Sequence, residues 1–262
     1  MTDLVTSARD GGVLTLTFNR PDKKNAITEE MYLALAAELT AAEADPAVRA
    51  VLFLGAGDSF TAGNDIRPFS AANDAAESAG PKVSPAQVFI QALVDAKKPL
   101  IAGVHGRAVG IGVTMLLHCD LVVVAEDAKL STPFVGLGLA PEAASSLLLV
   151  ERVGQPRAFA LFATGLVLSG EEAAAWGIAN RAVPAAEVAA AAGQLAKAVA
   201  AQPPGAVQAT KALMRDPARL TAQTERERVA FSARLRSAEA KEAFAAFRER
   251  RPPDFSKLAA AG

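Results

Sequence analysis

The chain has 262 residues, enough for one large domain, and half of it is hydrophobic (51%) with little aromatic content (5%). A formal net charge of −1 gives no electrostatic reason to expect nucleic acid or an anionic membrane as partner. The single Cys119 excludes an internal disulfide framework and suits a reducing compartment; with only two histidines beside it, no Cys/His metal cluster of the usual kind is expected.

The opening "MTDLVTSARDGG" contains no apolar run of signal-peptide length. A later apolar stretch, "LIAGVHGRAVGIGVTMLLHC", is broken by Gly, His and Arg, so no membrane span is expected and the protein reads as soluble and cytoplasmic. The tripeptide "SKL" at 256–258 is followed by four residues and is not read as a peroxisomal address.

"VLTLTFN" (13–19) alternates apolar and polar residues and predicts a strand. Thr28 is placed to cap a helix whose first turn carries Glu29 and Glu30, the charge that a helix N-terminus favours. "AVLFLGA" (50–56) has the pattern of a short buried strand. "SPAQ" (84–87) sets Ser at an N-cap, Pro at the first helical position and Gln three residues after the cap. "PLIAGV" (99–104) and "DLVVVAE" (120–126) predict further strands, separated by the glycine-rich "GRAVGIGVTMLLHC". "SGEE" (169–172) is a second capping box. The repeated strand, loop and helix order argues the α/β class.

From about residue 184 the character changes. "AAEVAAAAGQLAKAVAAQ" predicts a helix that "PPGA" breaks, and "LTAQTERERVAFSARLRS" and "AEAKEAFAAFRER" predict two more. In the last, Ala240, Ala243, Phe244 and Phe247 form an apolar stripe that must be buried against the core or another subunit.

Common signatures are absent. "GIGVTM" and "GLGLAP" lack the third glycine of a dinucleotide fingerprint, and no phosphate-binding G-x-x-x-x-G-K-[ST] or nucleophile-elbow G-x-S-x-G occurs. His105 and His118 have no carboxylate or nucleophile at telling spacing and read as structural, hydrogen-bonded residues. What remains is a pair of glycine-bearing turns after short strands, "FTAGNDIRPF" (60–69) and "GRAVGIGVTM" (106–115), together with Glu142, the one ionisable residue in "STPFVGLGLAPEAASSLLLV". Such turns either close ordinary loops or leave backbone N–H groups free to meet a ligand. A carboxylate in so apolar a segment sits at a wet turn or acts as a base in a dry pocket.

"LTFNRPDKKNAIT", "FTAGNDIRPF", "GRAVGIGVTMLLHCDLVVVAEDAKLSTPF", "GLGLAPEAASS" and "AFRERRPPDFS", in that order over about residues 13–255, resemble the crotonase (enoyl-CoA hydratase/isomerase) superfamily. The resemblance implies a ββα spiral core over residues 1–200 and a C-terminal helical trimerisation region over 201–262 of the same domain. It implies a homotrimer or a dimer of trimers, and an acyl-CoA thioester as substrate with no metal or separate cofactor. It also implies an oxyanion hole from the backbone N–H groups of Asn64 and Ile111. The substrate would be lined by Lys24, Ala26, Ala62, Gly63, Asp65, Ile66, Gly110, Thr114 and Phe134, with Lys23, Lys24 and Arg67 placed to meet CoA phosphates and Arg248 and Arg250 to reach a neighbour's CoA.

The two glutamates that hydratases of this family use are missing, since Thr114 and Phe134 stand in their positions. "TPFVGLGLAPEAASS" is instead similar to the peroxisomal-type Δ3,Δ2-enoyl-CoA isomerases, in which the glutamate after the proline is the catalytic base. That position is Glu142. Phe134, Val135 and Leu137 are expected to keep its cavity dry. The expected activity is therefore the shift of a double bond from C3 to C2 of an enoyl-CoA. Other crotonase chemistry such as hydration, and acyl-CoA binding without catalysis, are the alternatives.

Overall fold

The computed structural model describes residues 3–65 and 83–258. Its first strands, β1 (Val5–Asp10) and β2 (Val13–Phe18), form an antiparallel hairpin. Helix α1 (Glu29–Ala44) follows, with the Thr28 hydroxyl accepting from the Met31 N–H at 3.3 Å as the cap predicts. Strand β3 (Ala50–Gly55) leads into the 56–65 loop. Helix α2 (Pro85–Asp95) opens on the expected capping box of Ser84 and Gln87. Then come β4 (Leu100–Val104), β5 (Arg107–Val109), the single-turn helix α3 (Ile111–Thr114), β6 (Leu121–Ala125) and β7 (Lys129–Ser131). Helices α4 (Ser145–Val153) and α5 (Gln155–Ala163), strand β8 (Val167–Ser169), helix α6 (Gly170–Ala175) and strand β9 (Arg181–Val183) complete the sheet region.

Among the described residues the strands make two sheets. One has six strands in the order β1-β2-β3-β4-β6-β9, parallel except for the β1–β2 hairpin; the other has the order β5-β7-β8. The central strands read as continuous apolar runs because both faces are covered. Val51 and Phe53 of β3 join Leu14, Leu16 and Phe18 in the cluster filled by Met31, Leu35 and Leu39 of α1 and Phe89 and Leu93 of α2. Ala50 and Leu52 point the other way, where they meet Ile101, Val123 and Ala192 and Ala196 of helix α7 (Val188–Ala200). Small alanines on α7 let the helix lie close to the sheet.

The C-terminal region holds one helix beyond those expected. "PPGA" does not simply break the chain: Pro204 is the first residue of helix α8 (Pro204–Met214), where a proline's missing N–H costs nothing. Helices α9 (Pro217–Leu235) and α10 (Ala238–Glu249) follow. In α10, Ala240, Ala243 and Phe244 are buried as the stripe predicts, but Phe247 is exposed. Among the described residues no helix is long and apolar enough to cross a membrane.

Candidate active site

The two glycine-bearing loops lie side by side. Thr61 bridges Ala108 in parallel register, and the Val109 N–H donates to the Thr61 carbonyl at 3.1 Å. Gly63 (φ 85) permits the close approach, because a Cβ there would stand 2.7 Å from the Val109 carbonyl oxygen. Asn64 itself is bridged to Ile27 through its neighbours. The Ile27 N–H donates to the Gly63 carbonyl at 2.8 Å and the Asp65 N–H to the Ile27 carbonyl at 2.9 Å, so the Asn64 N–H takes no part.

On the second loop Gly110 adopts φ 56, ψ −116, a conformation reserved for glycine, and turns the chain from β5 into α3. Ile111 is the first residue of that helix, where an N–H has no intrahelical acceptor. Among the described residues neither the Asn64 nor the Ile111 amide is tied into a ladder bond.

Helix α3 also carries Thr114, three residues on and about 4.5 Å further along the axis. Its buried hydroxyl donates to Glu142 Oε1 at 2.6 Å, across 28 residues of sequence. The glutamate is therefore held one helical turn from the Ile111 amide. Glu142 is part-buried, and desolvation of its carboxylate raises its pKa to about 8. The Thr114 hydrogen bond works against that rise, and the charge of Glu227 on α9 adds to it.

The backbone after Glu142 is strained, with Ala143 and Ala144 both left-handed at φ 60 and φ 54. Each such non-glycine residue costs about 1–2 kcal/mol, so the turn must be held from outside. His118 is one clamp. The guanidinium of Arg215 donates to its Nδ1 at 2.6 Å, which leaves the proton on Nε2 to donate to the Ala143 carbonyl at 2.7 Å. Burial, and then the nearby Arg215 charge, lower the His118 pKa to about 3, so the ring is neutral and structural, as its sequence context suggests.

Other residues of the site were not visible in the sequence. Tyr32, the chain's single tyrosine, is buried on α1 and donates its hydroxyl to Asn64 Oδ1. Its pKa is pushed well up by burial and then by the charge of Glu142, which puts phenol, amide and carboxylate in one neighbourhood. Arg20 pairs with the buried Asp65 at 2.8 Å and donates to the Ala26 carbonyl at 3.0 Å. Asn25, buried and left-handed at φ 55, donates to the Ala56 and Ser59 carbonyls. A buried asparagine and an arginine in a polar loop carry no sequence signal that separates this scaffold role from solvation.

The remaining expected substrate residues are placed as follows. Lys24 is exposed and its ammonium pairs with Asp58 at 2.6 Å; its carbonyl accepts the Ala62 N–H at 2.8 Å, which ties the 20–26 loop to the 61–65 loop. Lys23 meets Asp22 at 3.6 Å. Asp65 serves its loop through Arg20. Phe134 is buried with its ring 6.3 Å from that of Phe162, whereas Val135 is 46% exposed and does not wall a dry cavity as expected. Arg248 and Arg250 are exposed at the end of α10. Ile66 and Arg67 lie outside the described residues.

A cavity of about 640 Å³ elsewhere is lined by His118, Cys119, Arg152, Lys211 and Arg215 and contains none of Asn64, Ile111 or Glu142. Its cations are already engaged: Arg152 donates to the Leu117 carbonyl at 2.8 Å, Lys211 pairs with Asp120 at 2.7 Å and Arg215 donates to the His118 carbonyl at 2.9 Å. Cys119 there is buried, and desolvation pushes its thiol up to about 12, which makes it inert. Among the described residues no group of three or more His, Cys, Asp or Glu is placed to hold a metal.

A sequence profile of the enoyl-CoA hydratase/isomerase family matches residues 8–258. The chain is 37% identical to enoyl-CoA delta isomerase 2 of Rattus norvegicus over 95% of its own length, and spans 64% of that protein. It is 34% identical to 1,2-epoxyphenylacetyl-CoA isomerase of Escherichia coli K12, covering 98% of this chain and 99% of that one. Among solved structures, OdaA of Pseudomonas aeruginosa superposes with a TM-score of 0.88 at 45% identity, over 94% of this chain and 99% of that one. With this match over nearly its whole length and the sheet arrangement described above, the chain belongs to the enoyl-CoA hydratase/isomerase family and has the crotonase fold.

Proposed function

We propose that the protein is a Δ3,Δ2-enoyl-CoA isomerase in which Glu142 moves a proton from C2 to C4 of the acyl chain. The observation that carries this reading is the carboxylate of Glu142 on the Thr114 hydroxyl, one turn from the unengaged Ile111 amide and close to Tyr32 and Asn64. No second carboxylate stands at position 114 or 134 to position a water for hydration.

The steps balance with this one base. Glu142 takes a C2 proton, the C2–H electron pair becomes the C1–C2 double bond of a dienolate, and charge moves to the thioester oxygen. The amides of Asn64 and Ile111 meet that charge, each donor contributing about 2.7–4 kcal/mol to the transition state in comparable oxyanion holes. The protonated Glu142 then returns the proton at C4, the carbonyl re-forms and the double bond lies between C2 and C3. A pKa near 8 suits both halves: the carboxylate is basic enough to take the proton and its acid form strong enough to give it back. Neither a metal nor a redox cofactor enters this scheme. Similarity to the rat delta isomerase over most of the chain supports the reaction class.

The test is turnover of a 3-enoyl-CoA to the 2-enoyl isomer beside hydration of a 2-enoyl-CoA. Isomerisation is expected to exceed hydration by at least about 100-fold, the scale of one missing general base. Predominant hydration would overturn the reading. Because the working form is the carboxylate, kcat/KM for isomerisation should rise with pH through about 8 and level above it. A flat profile between pH 6 and 9 would contradict Glu142 as the base.

Tyr32→Phe removes the hydrogen bond to the Asn64 side chain and leaves the ring that packs 5.8 Å from Phe89. Loss of one such bond, about 1 kcal/mol, should lower kcat about fivefold with KM little changed. Steady-state kinetics on the folded variant check it.

A further inference from the structure

The turn that carries Glu142 is gripped from behind by a second carboxylate. Glu227 of α9 is only 5% exposed, and its Oε1 accepts from the Ser146 N–H at 2.9 Å and the Ser146 hydroxyl at 2.5 Å. Gln223, one turn earlier on α9, donates to the same hydroxyl at 2.8 Å, and the Ala144 N–H adds a further backbone interaction with Glu227. These contacts cross 81 residues of sequence to the two left-handed alanines and the first turn of α4. Helix α4 has no side-chain cap of its own, since its N-cap residue is Ala144. Glu227 supplies that cap from a distant helix, at the end where a helix favours an anion.

A structural cap would be served by a serine or asparagine with both polar atoms used. Glu227 is costlier: it is a buried acid whose Oε2 has no hydrogen-bond partner among the described residues. We propose that Glu227 is a positioning residue for the reaction, fixing the strained turn that aims Glu142 and setting a negative charge behind it. Burial raises the pKa of Glu227 itself, and the bonds from Ser146 and Ala144 work against that rise. In its ionised form Glu227 opposes ionisation of Glu142 and adds to the effect of burial in keeping that base stronger than an isolated carboxylate.

The other groups around the pair do not substitute for it. Thr114 does not titrate in this range, and Tyr32 on α1 stays neutral because its pKa is raised. His118 is neutral and bonded to the Ala143 carbonyl, with Arg215 directed at its far nitrogen. Arg219 of α9 and Glu151 of α4 pair with each other at 2.7 Å on the surface, and Arg228 pairs with Glu225.

The inference rests on Glu142 being the base, and the experiment separates the two. Glu227→Gln keeps an oxygen for Ser146 and removes the charge. The pH profile of kcat/KM should then move its acid limb down by half a unit or more, with kcat falling about tenfold and KM little changed. Glu227→Ala should lose more kcat, and Glu227→Asp should restore the position of the acid limb in part. If Glu142→Gln is inactive while folded Glu227→Gln keeps the wild-type kcat and acid limb, the positioning role is overturned and the base stands. If Glu142→Gln remains active, the base reading fails and this inference with it. Should the alanine variant not fold, the profile of Glu227→Gln decides alone.

Discussion

Glu142→Gln is expected to lower kcat for isomerisation about 10²–10⁴-fold, the usual contribution of a positioned general base, while acyl-CoA binding persists. Gln keeps an oxygen to accept from Thr114 Oγ1, so the loss isolates the proton-transfer role from the packing role. The same substitution should stabilise the fold, and the direction in pH is fixed by linkage. The folded-state pKa of Glu142 lies above its ordinary value of 4.5, so the protonated form is the one the fold prefers. Its stabilising contribution is complete below about pH 4.5 and is lost as pH rises to about 8. The Gln variant has no such loss. Its Tm should match wild type near pH 4, exceed it by a growing margin up to about pH 8 and by a constant margin above that, which calorimetry across that range would show. Equal Tm values at both ends would contradict a desolvated carboxylate.

Gly110→Ala should lower kcat about 10²-fold, the cost of one misplaced oxyanion donor. A Cβ at this position would meet nothing within 4 Å, so no clash is involved. The effect comes from φ 56, ψ −116, which alanine does not adopt; relaxing it rotates the Ile111 N–H away from the thioester oxygen. Gly193→Ala, in the body of α7 with open space around the new Cβ, is the control and should leave kcat unchanged. Circular dichroism of both variants beside their kinetics separates a lost donor from a lost fold. Wild-type kcat in folded Gly110→Ala would remove Ile111 from the site.

Both predictions concern residues placed by resemblance and by a turn signal, and the fold shows why those were readable while others were not. Strand β2 alternates apolar and polar residues, β3, β4 and β6 are short apolar runs, and the caps Thr28, Ser84 and Ser169 act over three residues. Local chemistry suffices for each. Strand β1, "VTSARD", has no alternating pattern and is a strand because it pairs with β2. Strands β5, β7, β8 and β9 have three residues each, too short for periodicity to register. Helix α8 is hidden for a different reason: the prolines that stop α7 also start α8, and only the following pattern tells that a second helix begins there.

The site divides along the same line. Asn64, Gly110 and Ile111 belong to short contiguous motifs. Tyr32 reaches Asn64 from 32 residues away, Thr114 reaches Glu142 across 28, and Glu227 reaches Ser146 across 81. Helical or strand spacing says nothing about such pairs, because the sheet order and the path of the C-terminal helices bring them together. The exposed Val135 makes the converse point: an apolar residue beside a functional one need not line its cavity.

The claim on which the account turns is that one carboxylate carries the same proton from C2 to C4. It is tested most directly by single turnover, in ordinary water, of a 3-enoyl-CoA doubly deuterated at C2, followed by mass and NMR analysis of the product. A single shuttling base predicts deuterium at C4 in a substantial fraction of product molecules. Product whose new C4 hydrogen comes wholly from solvent, even at the earliest times, would mean that the proton taken from C2 is not the one returned at C4 and would contradict the account.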